Sequence, residues 1–393
     1  YAIVFRLLGY VLMIEGALLL LPAAASLVYG EWMVLGLARS GREVPAGYYD
    51  NVVSYVNKKI DRQGRLHSSK STDNSRLILA LTAMGKDVTN VGGHNLLQGL
   101  TDMKFVKKQG INGPIWALIA LDSHDYEIPA ATSGADPVTR QKLIDAILAG
   151  QLPDGGWTIS GQIADADMTG MAIQALAPYY KTQEKVRTGV DRALQVLSKL
   201  QQNDGGFYTL DPSGNPYSNS ESCAQVVVAL TALGLDPHTD SRFIKNGHSV
   251  LDALCSYVVE GGGFRHLTSG ERNGMATEQG YYALTAYFRL KDGKTSLYDM
   301  SDVTIQKGNQ EDPTKPTDPA KPTDPSKPTD PAAPTDPAAP TDPKKPSNSG
   351  KKPSNPATGD DSPIALYTVT LILGLLAAAA LLAPQVKKKR TQK

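Results

Sequence analysis

With 393 residues, 41% of them hydrophobic and 20% charged, the chain can bury one large core or two small ones. A net charge of +1 supplies neither the basic stripe that nucleic acid requires nor an acidic field, so nucleic-acid binding is excluded. Two cysteines, Cys223 and Cys255, are too few for a disulfide framework, and both a single bridge and two buried free thiols remain open.

Residues 1–30 are almost continuously apolar, a length that suits a membrane span. Arg6 ahead of the run and the small residues Ala23-Ala-Ala-Ser26 equally suit a secretory signal. Glu15 disturbs both readings, at roughly 2.5–3.5 kcal/mol on an insertion scale. The stretch is similar to the first transmembrane segment of Trk-type potassium transporters, but no pore-loop sequence follows it. It is read as an N-terminal membrane or export element, and whether it is native to this protein stays open.

From Glu31 the chain repeats a phrase. Gln151-Leu-Pro-Asp-Gly-Gly-Trp157, Gln201-Gln-Asn-Asp-Gly-Gly-Phe207 and Glu260-Gly-Gly-Gly-Phe264 are its clearest copies. Fainter ones stand at Arg62-Gln-Gly-Arg-Leu66 and Lys107-Lys-Gln-Gly-Ile111. Glycines 64, 110, 155, 205 and 262 follow one another at intervals of 46, 45, 50 and 57 residues, the period of a helical repeat array. Each copy stops a helix with glycines, which reach positive φ cheaply, and then sets an apolar side chain, aromatic in the clear copies, beyond the turn. Between the turns, two kinds of helix alternate. Short ones at 32–38, 77–84, 115–121, 171–179, 224–233 and 282–288 are apolar nearly all round. Longer ones at 46–62, 93–108, 138–151, 184–201 and 241–259 are striped. In 184–201, for example, Val186, Val190, Ala193, Leu194, Leu197 and Leu200 make one apolar face. Short helices that are apolar on every side must be walled in, and striped ones must cover them. Concentric rings satisfy both. No stretch alternates with period 2 long enough to demand a sheet.

The glycine turns and this alternation resemble the α/α-toroid superfamily, which holds terpenoid cyclases, protein prenyltransferase β subunits, cobalamin carriers and bacterial surface proteins with prenyltransferase/squalene-oxidase repeats. The resemblance covers about 31–302 and implies an all-α double ring of up to six helix pairs. Only five outer helices can be counted, so the sixth would have to precede Glu31. If the apolar segment there goes to membrane, the ring should have a gap beside the 32–40 helix.

After the toroid domain (31–308) the composition shifts. About half of the 26 prolines lie between Pro313 and Pro356, and Pro316-Thr-Asp-Pro319 recurs every six residues. Such a stretch (309–354) is an extended polyproline-II spacer of about 3.1 Å per residue that builds no core. Residues 355–393 then carry Asn355-Pro356-Ala357-Thr358-Gly359, an apolar run from Ile364 to Ala383 and the basic Lys387-Lys-Lys-Arg390. Run and basic flank have the pattern of a membrane span with positive-inside orientation. Motif, span and tail together resemble an LPxTG-like Gram-positive cell-wall sorting signal. The resemblance implies that a sortase attacks Thr358, that peptidoglycan becomes the covalent partner, and that the toroid lies outside the cell. An uncleaved membrane anchor is the plainer alternative.

Acidic residues recur where the inner helices begin, at Asp73, Asp167, Glu221 and Glu278. In parallel helices they would ring one mouth, either as caps of free N–H groups or as a ligand-facing rim. Asp165-Ala-Asp167-Met168 resembles the Asp-x-Asp-Asp run with which class II terpene cyclases protonate an alkene, with a thioether where the last carboxylate belongs. Such chemistry needs a carboxylic acid kept protonated by burial and a neighbouring charge, and the resemblance makes Asp165 and Asp167 the candidate catalytic pair. Glu221-Ser-Cys223 is the nearest match to a prenyltransferase zinc site, but Thr277-Glu278 stands where the histidine ligand should be, so no metal is expected. No Cys-Gly-Glu-Gln thioester run is present, and no cofactor is implied. The remaining candidates line a pocket. Arg76, Gln174, Gln225 and Gln279 are polar residues on apolar helices, where they need partners. Trp116, Tyr281 and Tyr282, with Glu221 and Glu278 at the rim, complete the predicted set. Three functions fit: a wall-tethered toroid binding an unidentified ligand or surface partner without catalysis, a surface enzyme of the terpenoid cyclase or prenyltransferase class, and a structural adhesin or spacer.

Overall fold

The computed structural model describes residues 30–210 and 216–307. The chain divides at Thr317, and every described residue falls in the first of the two units. The apolar segment 1–29, the Pro-rich spacer and the sorting motif with its apolar run lie outside the described residues. Among those that are described, no helix is long and apolar enough to cross a membrane.

Six helices form an inner ring: α1 (Glu31–Arg39), α3 (Thr72–Ala83), α5 (Asn112–Asp122), α7 (Ala166–Leu176), α9 (Ser220–Ala232) and α11 (Gly274–Lys291). Each packs on the next, and α11 packs back on α1, so the ring closes. Outside it run α2 (Tyr48–Lys59), the short α4 (Met103–Val106), α6 (Arg140–Ala149), α8 (Glu184–Leu200) and α10 (Val250–Ser256). This is an α/α double ring, and its physical cause is visible in α5, where every residue from Gly113 to Leu121 is buried. A helix with no solvent face has to be enclosed. By contrast, α8 buries one stripe (Val186, Val190, Ala193, Leu194, Leu197) and leaves its charged face in water.

The lengths depart from expectation. The longest inner helix, α11, has 18 residues and the outer α10 only 7. Expected outer helix 93–108 is broken into a 3-10 turn (Leu96–Leu100), α4 and a second 3-10 turn (Lys107–Gln109). Asn95 and Asp102 cap N–H groups inside this stretch, and Gly99 lies so close to Asn74 and Gly64 that a Cβ would meet them at 2.4 Å. Asn74 in turn donates to the Gly64 and Leu96 carbonyls and accepts from the Leu66 N–H, tying the irregular strand to α3. Two short antiparallel pairs occur, Tyr208–Leu210 with Pro216–Ser218 and Ile244–Lys245 with His248–Ser249. No larger sheet exists among the described residues.

The repeated phrase is a recurring turn. Gln202 N–H bonds the Gly206 carbonyl at 2.8 Å and Leu152 N–H the Gly156 carbonyl at 2.9 Å. Gly155 and Gly205 both take positive φ. The two copies at 151–157 and 201–207 also open with a bracing glutamine. Gln151 Nε2 donates to Gly155 O and Gly189 O, and Gln201 Nε2 to Gly205 O and Phe243 O, joining the turn to the next outer element. Trp157, Phe207 and Phe264 are fully buried and act as packing pins between repeats. Trp157 additionally donates from Nε1 to the Ile147 carbonyl at 2.7 Å.

One end of the ring is sealed by residues 294–307, a role unforeseen in the sequence. Arg39 donates to the carbonyls of Leu297, Ser296 and Asp299. Met300 N–H bonds Ser123 O at the end of α5, and Gln306 N–H bonds Gly85 O beyond α3. Tyr298 enters the lumen and meets Trp116 edge-on at 5.9 Å. Asp302 lies between two guanidiniums, 2.7 Å from Arg39 and 2.6 Å from Arg289.

Two outcomes follow. Gly205→Ala places a Cβ 2.3 Å from Ser249 O at a positive φ and should cost about 1–3 kcal/mol, read as a lowered urea midpoint. Burial opposes ionisation of Asp302, but hydrogen bonds from Arg39 and Arg289 outweigh it and hold the carboxyl down to about 2. A depressed carboxylate stabilises above its unfolded value of about 3.9, and that contribution fades as pH falls through the folded one. The midpoint difference between wild type and Asp302→Asn should therefore be full at pH 6 and shrink between pH 4 and 2.

Candidate functional site: the N-terminal mouth of the ring

The inner helices are parallel, so their first turns meet at one mouth and residues 294–307 close the other end. A cavity of about 320 Å³ opens at that mouth, lined from all six inner helices and the loops before them. Of the residues predicted from sequence, Arg76, Trp116, Gln225, Gln279 and Tyr282 line it. Gln174, Glu221, Glu278 and Tyr281 do not. Tyr281 packs between α1 and α11 instead, its hydroxyl 2.9 Å from Ser40 Oγ and its ring against Gly36, where a Cβ would meet it at 2.7 Å.

Gln174 belongs to a second layer. Its Nε2 donates to the Gln225 carbonyl and to Gln225 Oε1, both at 2.9 Å. Gln225 Nε2 donates onward to Gln279 Oε1 at 2.9 Å and to the Tyr282 hydroxyl at 2.6 Å. Three helices are thus joined by one amide relay, which satisfies most of the groups it buries and leaves Gln174 Oε1 without a partner among the described residues. It also fixes which way the Gln279 amide faces: its oxygen is held by the relay.

The opposite wall comes from α3 and α5. Arg76 pairs with Asp73 at 3.0 Å, while its buried Nε has no hydrogen-bond partner among the described residues. Gln109 and Thr72 bond one another, the Thr72 N–H donating to Gln109 Oε1 and Gln109 Nε2 to Thr72 Oγ1. Trp32 stacks at a tilt on Trp116, 4.7 Å between centroids, and lies 5.9 Å from Tyr282. Lys70, Gln109, Asn112, Thr72 and Trp32 line the cavity although sequence reasoning did not select them for the pocket. Lys70 and Gln109 precede their helices, where no helical pattern singles out a polar residue. Gln109 was nevertheless part of a legible signal, the faint repeat copy at 107–111.

The acidic residues divide into two groups rather than a ring. Glu278 lies a full turn inside α11, since that helix begins at Gly274 rather than at Tyr282. Burial pushes its carboxyl up to about 7, with a smaller contribution from the Glu31 charge and an opposing one from Arg76. Asp165, Asp167 and Glu221 stand together on the far side. Asp165 is the N-cap of α7, accepting from Met168 N–H at 2.7 Å. Asn219 and Asn273 occupy the same position on α9 and α11 and accept in the same way. Burial and then the Asp165 charge push Asp167 up to about 7, against a 2.9 Å hydrogen bond from Ser222 Oγ. Glu221 is bonded by His266 Nδ1 at 2.8 Å.

The zinc-like Glu221-Ser-Cys223 has a structural explanation. Thr169 Oγ1 accepts from Trp157 N–H and Thr277 Oγ1 from Phe264 N–H, each four residues after its helix cap. Cys223 occupies that position on α9, buried, with its thiol pushed up to about 12 by burial. Both cysteines are free thiols. No group of histidine, cysteine and carboxylates among the described residues is placed to hold a metal.

A cavity of about 380 Å³ at the opposite end is lined by the C-terminal ends of α7, α9 and α11 with Lys181, Lys294 and Asp299. It is the larger of the two, but Tyr180 is its one aromatic side chain, and it lacks the convergent amides and aromatic floor of the mouth.

No protein-family model matches the chain, and no curated protein matches it. Solved structures do. An ent-copalyl diphosphate synthase from Streptomyces platensis is 20% identical over 67% of this chain, with a TM-score of 0.44. An unsaturated glucuronyl hydrolase from Bacillus sp. GL1 is 15% identical over 68% of this chain and 87% of its own, with a TM-score of 0.42. The chain spans about half the length of the synthase, 50% of it. Likenesses this distant carry no argument about chemistry. The double ring rests on the closed packing of its own helices.

Asp167 and Glu278 both have raised folded values, which favours the protonated fold. Stability from this source is full below about 4 and is lost as pH rises through about 7. Melting temperatures taken from pH 4 to 8 should therefore fall less steeply in Asp167→Asn than in wild type, and less again when Glu278→Gln is added.

Proposed function

We propose that this protein is a surface-tethered α/α toroid that binds a small polar ligand at the N-terminal mouth of its inner ring and catalyses nothing. The observation that carries the reading is the cavity itself: polar groups from α3, α5 and α11 converge on an aromatic floor, with Arg76 Nε buried and without a partner. A pre-formed concavity with a few aimed polar groups is the usual form of a ligand site. Tethering rests on sequence alone. Asn355-Pro-Ala-Thr-Gly359, the apolar run from Ile364 and the basic tail have the order of a sorting signal, whose partners would be a sortase and peptidoglycan of a Gram-positive wall. The Pro-rich spacer before them would hold the ring away from the membrane.

A second reading, an enzyme acting on an isoprenoid-like substrate, is favoured by one feature. Asp167 keeps a proton near neutrality beside a second carboxylate, as a general acid requires. Against it, Asp165 is engaged as a helix cap, and the lumen below the mouth is filled by Trp116, Tyr282 and Tyr298 rather than open to a hydrocarbon chain.

The two readings separate on Asp167→Asn. Under the binding reading, the affinity of any ligand found by thermal-shift screening changes less than about threefold, whereas an enzyme would lose about 10²-fold or more in turnover. For the tether, Thr358→Ala should move the protein from the muramidase-released fraction to the membrane fraction of expressing cells. An unchanged distribution would refute sortase attachment.

A further inference from the structure

The mouth cavity also indicates what kind of molecule it holds, given that it is a ligand site at all. We infer that the ligand is a saccharide, a mono- or disaccharide unit seated on Trp32. Hydroxyl groups both donate and accept, so a sugar needs a wall of mixed polarity. The cavity has one. Asn112 lines it with an amide that has no partner among the described residues and so offers both a donor and an acceptor. The relay holds Gln279 by its oxygen, which leaves the amide N–H groups for the cavity. Arg76 lines the cavity with a guanidinium tied to Asp73 Oδ1, and Asp73 offers its second oxygen as an acceptor.

The aromatic floor supports the same ligand. Trp32 is half-buried, backed by Trp116 and Tyr282, and so is fixed in place while part of its ring remains accessible. An indole face carries negative charge density and attracts the slightly positive C–H face of a pyranose ring.

Two other ligand classes fit less well. A phosphate or diphosphate only accepts hydrogen bonds, and here the Asp73 carboxylate would face it while neutralising the Arg76 charge, leaving Lys70 as the one cavity-lining cation without an ion-pair partner among the described residues. A long hydrocarbon or a tetrapyrrole needs far more room than about 320 Å³, and Tyr298 blocks extension down the lumen.

The test is calorimetric titration of the full chain. One set of probes is glucose, galactose, mannose, N-acetylglucosamine, glucuronic acid, cellobiose and maltose. The other is inorganic pyrophosphate and geranyl diphosphate. Saturable binding of at least one sugar is expected, weakened about tenfold by Gln279→Ala and by Asn112→Ala. Asn112→Ala removes a partly exposed amide and should leave the melting temperature in place, whereas Gln279→Ala also takes an acceptor from Gln225 and Tyr282 and should lower it by a few degrees. Trp32→Ala should abolish binding, and Trp32→Phe should restore part of it. If pyrophosphate or geranyl diphosphate saturates and no sugar does, the saccharide assignment is overturned while the ligand site stands. Should every probe fail, both are overturned. Sugar binding that neither Gln279→Ala nor Asn112→Ala weakens would place the sugar elsewhere and overturn the assignment to this cavity.

Discussion

The structure depends on helices that have no side fit for water. In α5 the run from Gly113 to Leu121 is buried without exception, and α9 is buried from Ser220 to Thr231. Such a helix cannot lie on a surface, and one layer of partners leaves half of it bare. A closed ring with a second ring around it is a solution in which every inner helix has two inner neighbours and an outer one. The glycine turns make that arrangement possible. They reverse the chain within a few residues and bring an apolar pin, aromatic at 157, 207 and 264, under the next inner helix, so the outer-to-inner connection is also a packing contact.

A ring has two open ends, and here they differ because helices are polar objects. The C-terminal ends expose carbonyl groups, and that end is covered by chain: residues 294–307 supply N–H groups to Ser123 and Gly85 and hold Asp302 between Arg39 and Arg289. N-terminal ends expose N–H groups and positive dipole ends, which attract carboxylates. Glu31, Asp73, Asp167 and Glu221 all lie in first turns for that reason, whatever else they do. The fold therefore closes one mouth with its own backbone and leaves the other polar and open, and the cavity with convergent amide and aromatic groups is found at the open one.

This division bears on how the acidic pair should be understood. Asp165 and its counterparts Asn219 and Asn273 perform the same capping task on successive inner helices, and an asparagine does it as well as an aspartate. Asp167 differs from them because it is crowded by Asp165 and Glu221 in a half-buried setting, which raises its affinity for a proton. Its resemblance to a cyclase acid is thus one of environment. The site that gathers uncommitted polar groups lies beside it, around Trp32, Arg76 and Gln279.

Periodicity and glycine spacing were enough to reach a double ring of helices, the alternation of enclosed and striped ones, and the approximate C-terminal ends of the inner ones, whose first turns mostly begin several residues earlier than the apolar pattern. These are properties of local sequence, because a helix apolar on every side and a glycine at positive φ declare themselves within a few residues. The glutamine relay could be anticipated in part, since Gln174, Gln225 and Gln279 are conspicuous on apolar helices. The broken stretch at 96–109 and the early start of α11 could not, because caps such as Asn95 and Asn273 compete with periodicity and win only where tertiary contacts favour them. Tyr281 and Tyr282 are neighbours in sequence with opposite fates, one wedged against Gly36 and one on the cavity floor, a matter of helix rotation that the ring decides. Lys70, Gln109 and Asn112 meet Gln279 only because the chain travels once around the ring and returns. That closure brings α11 back against α1, and residues some 170–210 positions apart in the chain onto one wall, a distance over which local pattern holds no information.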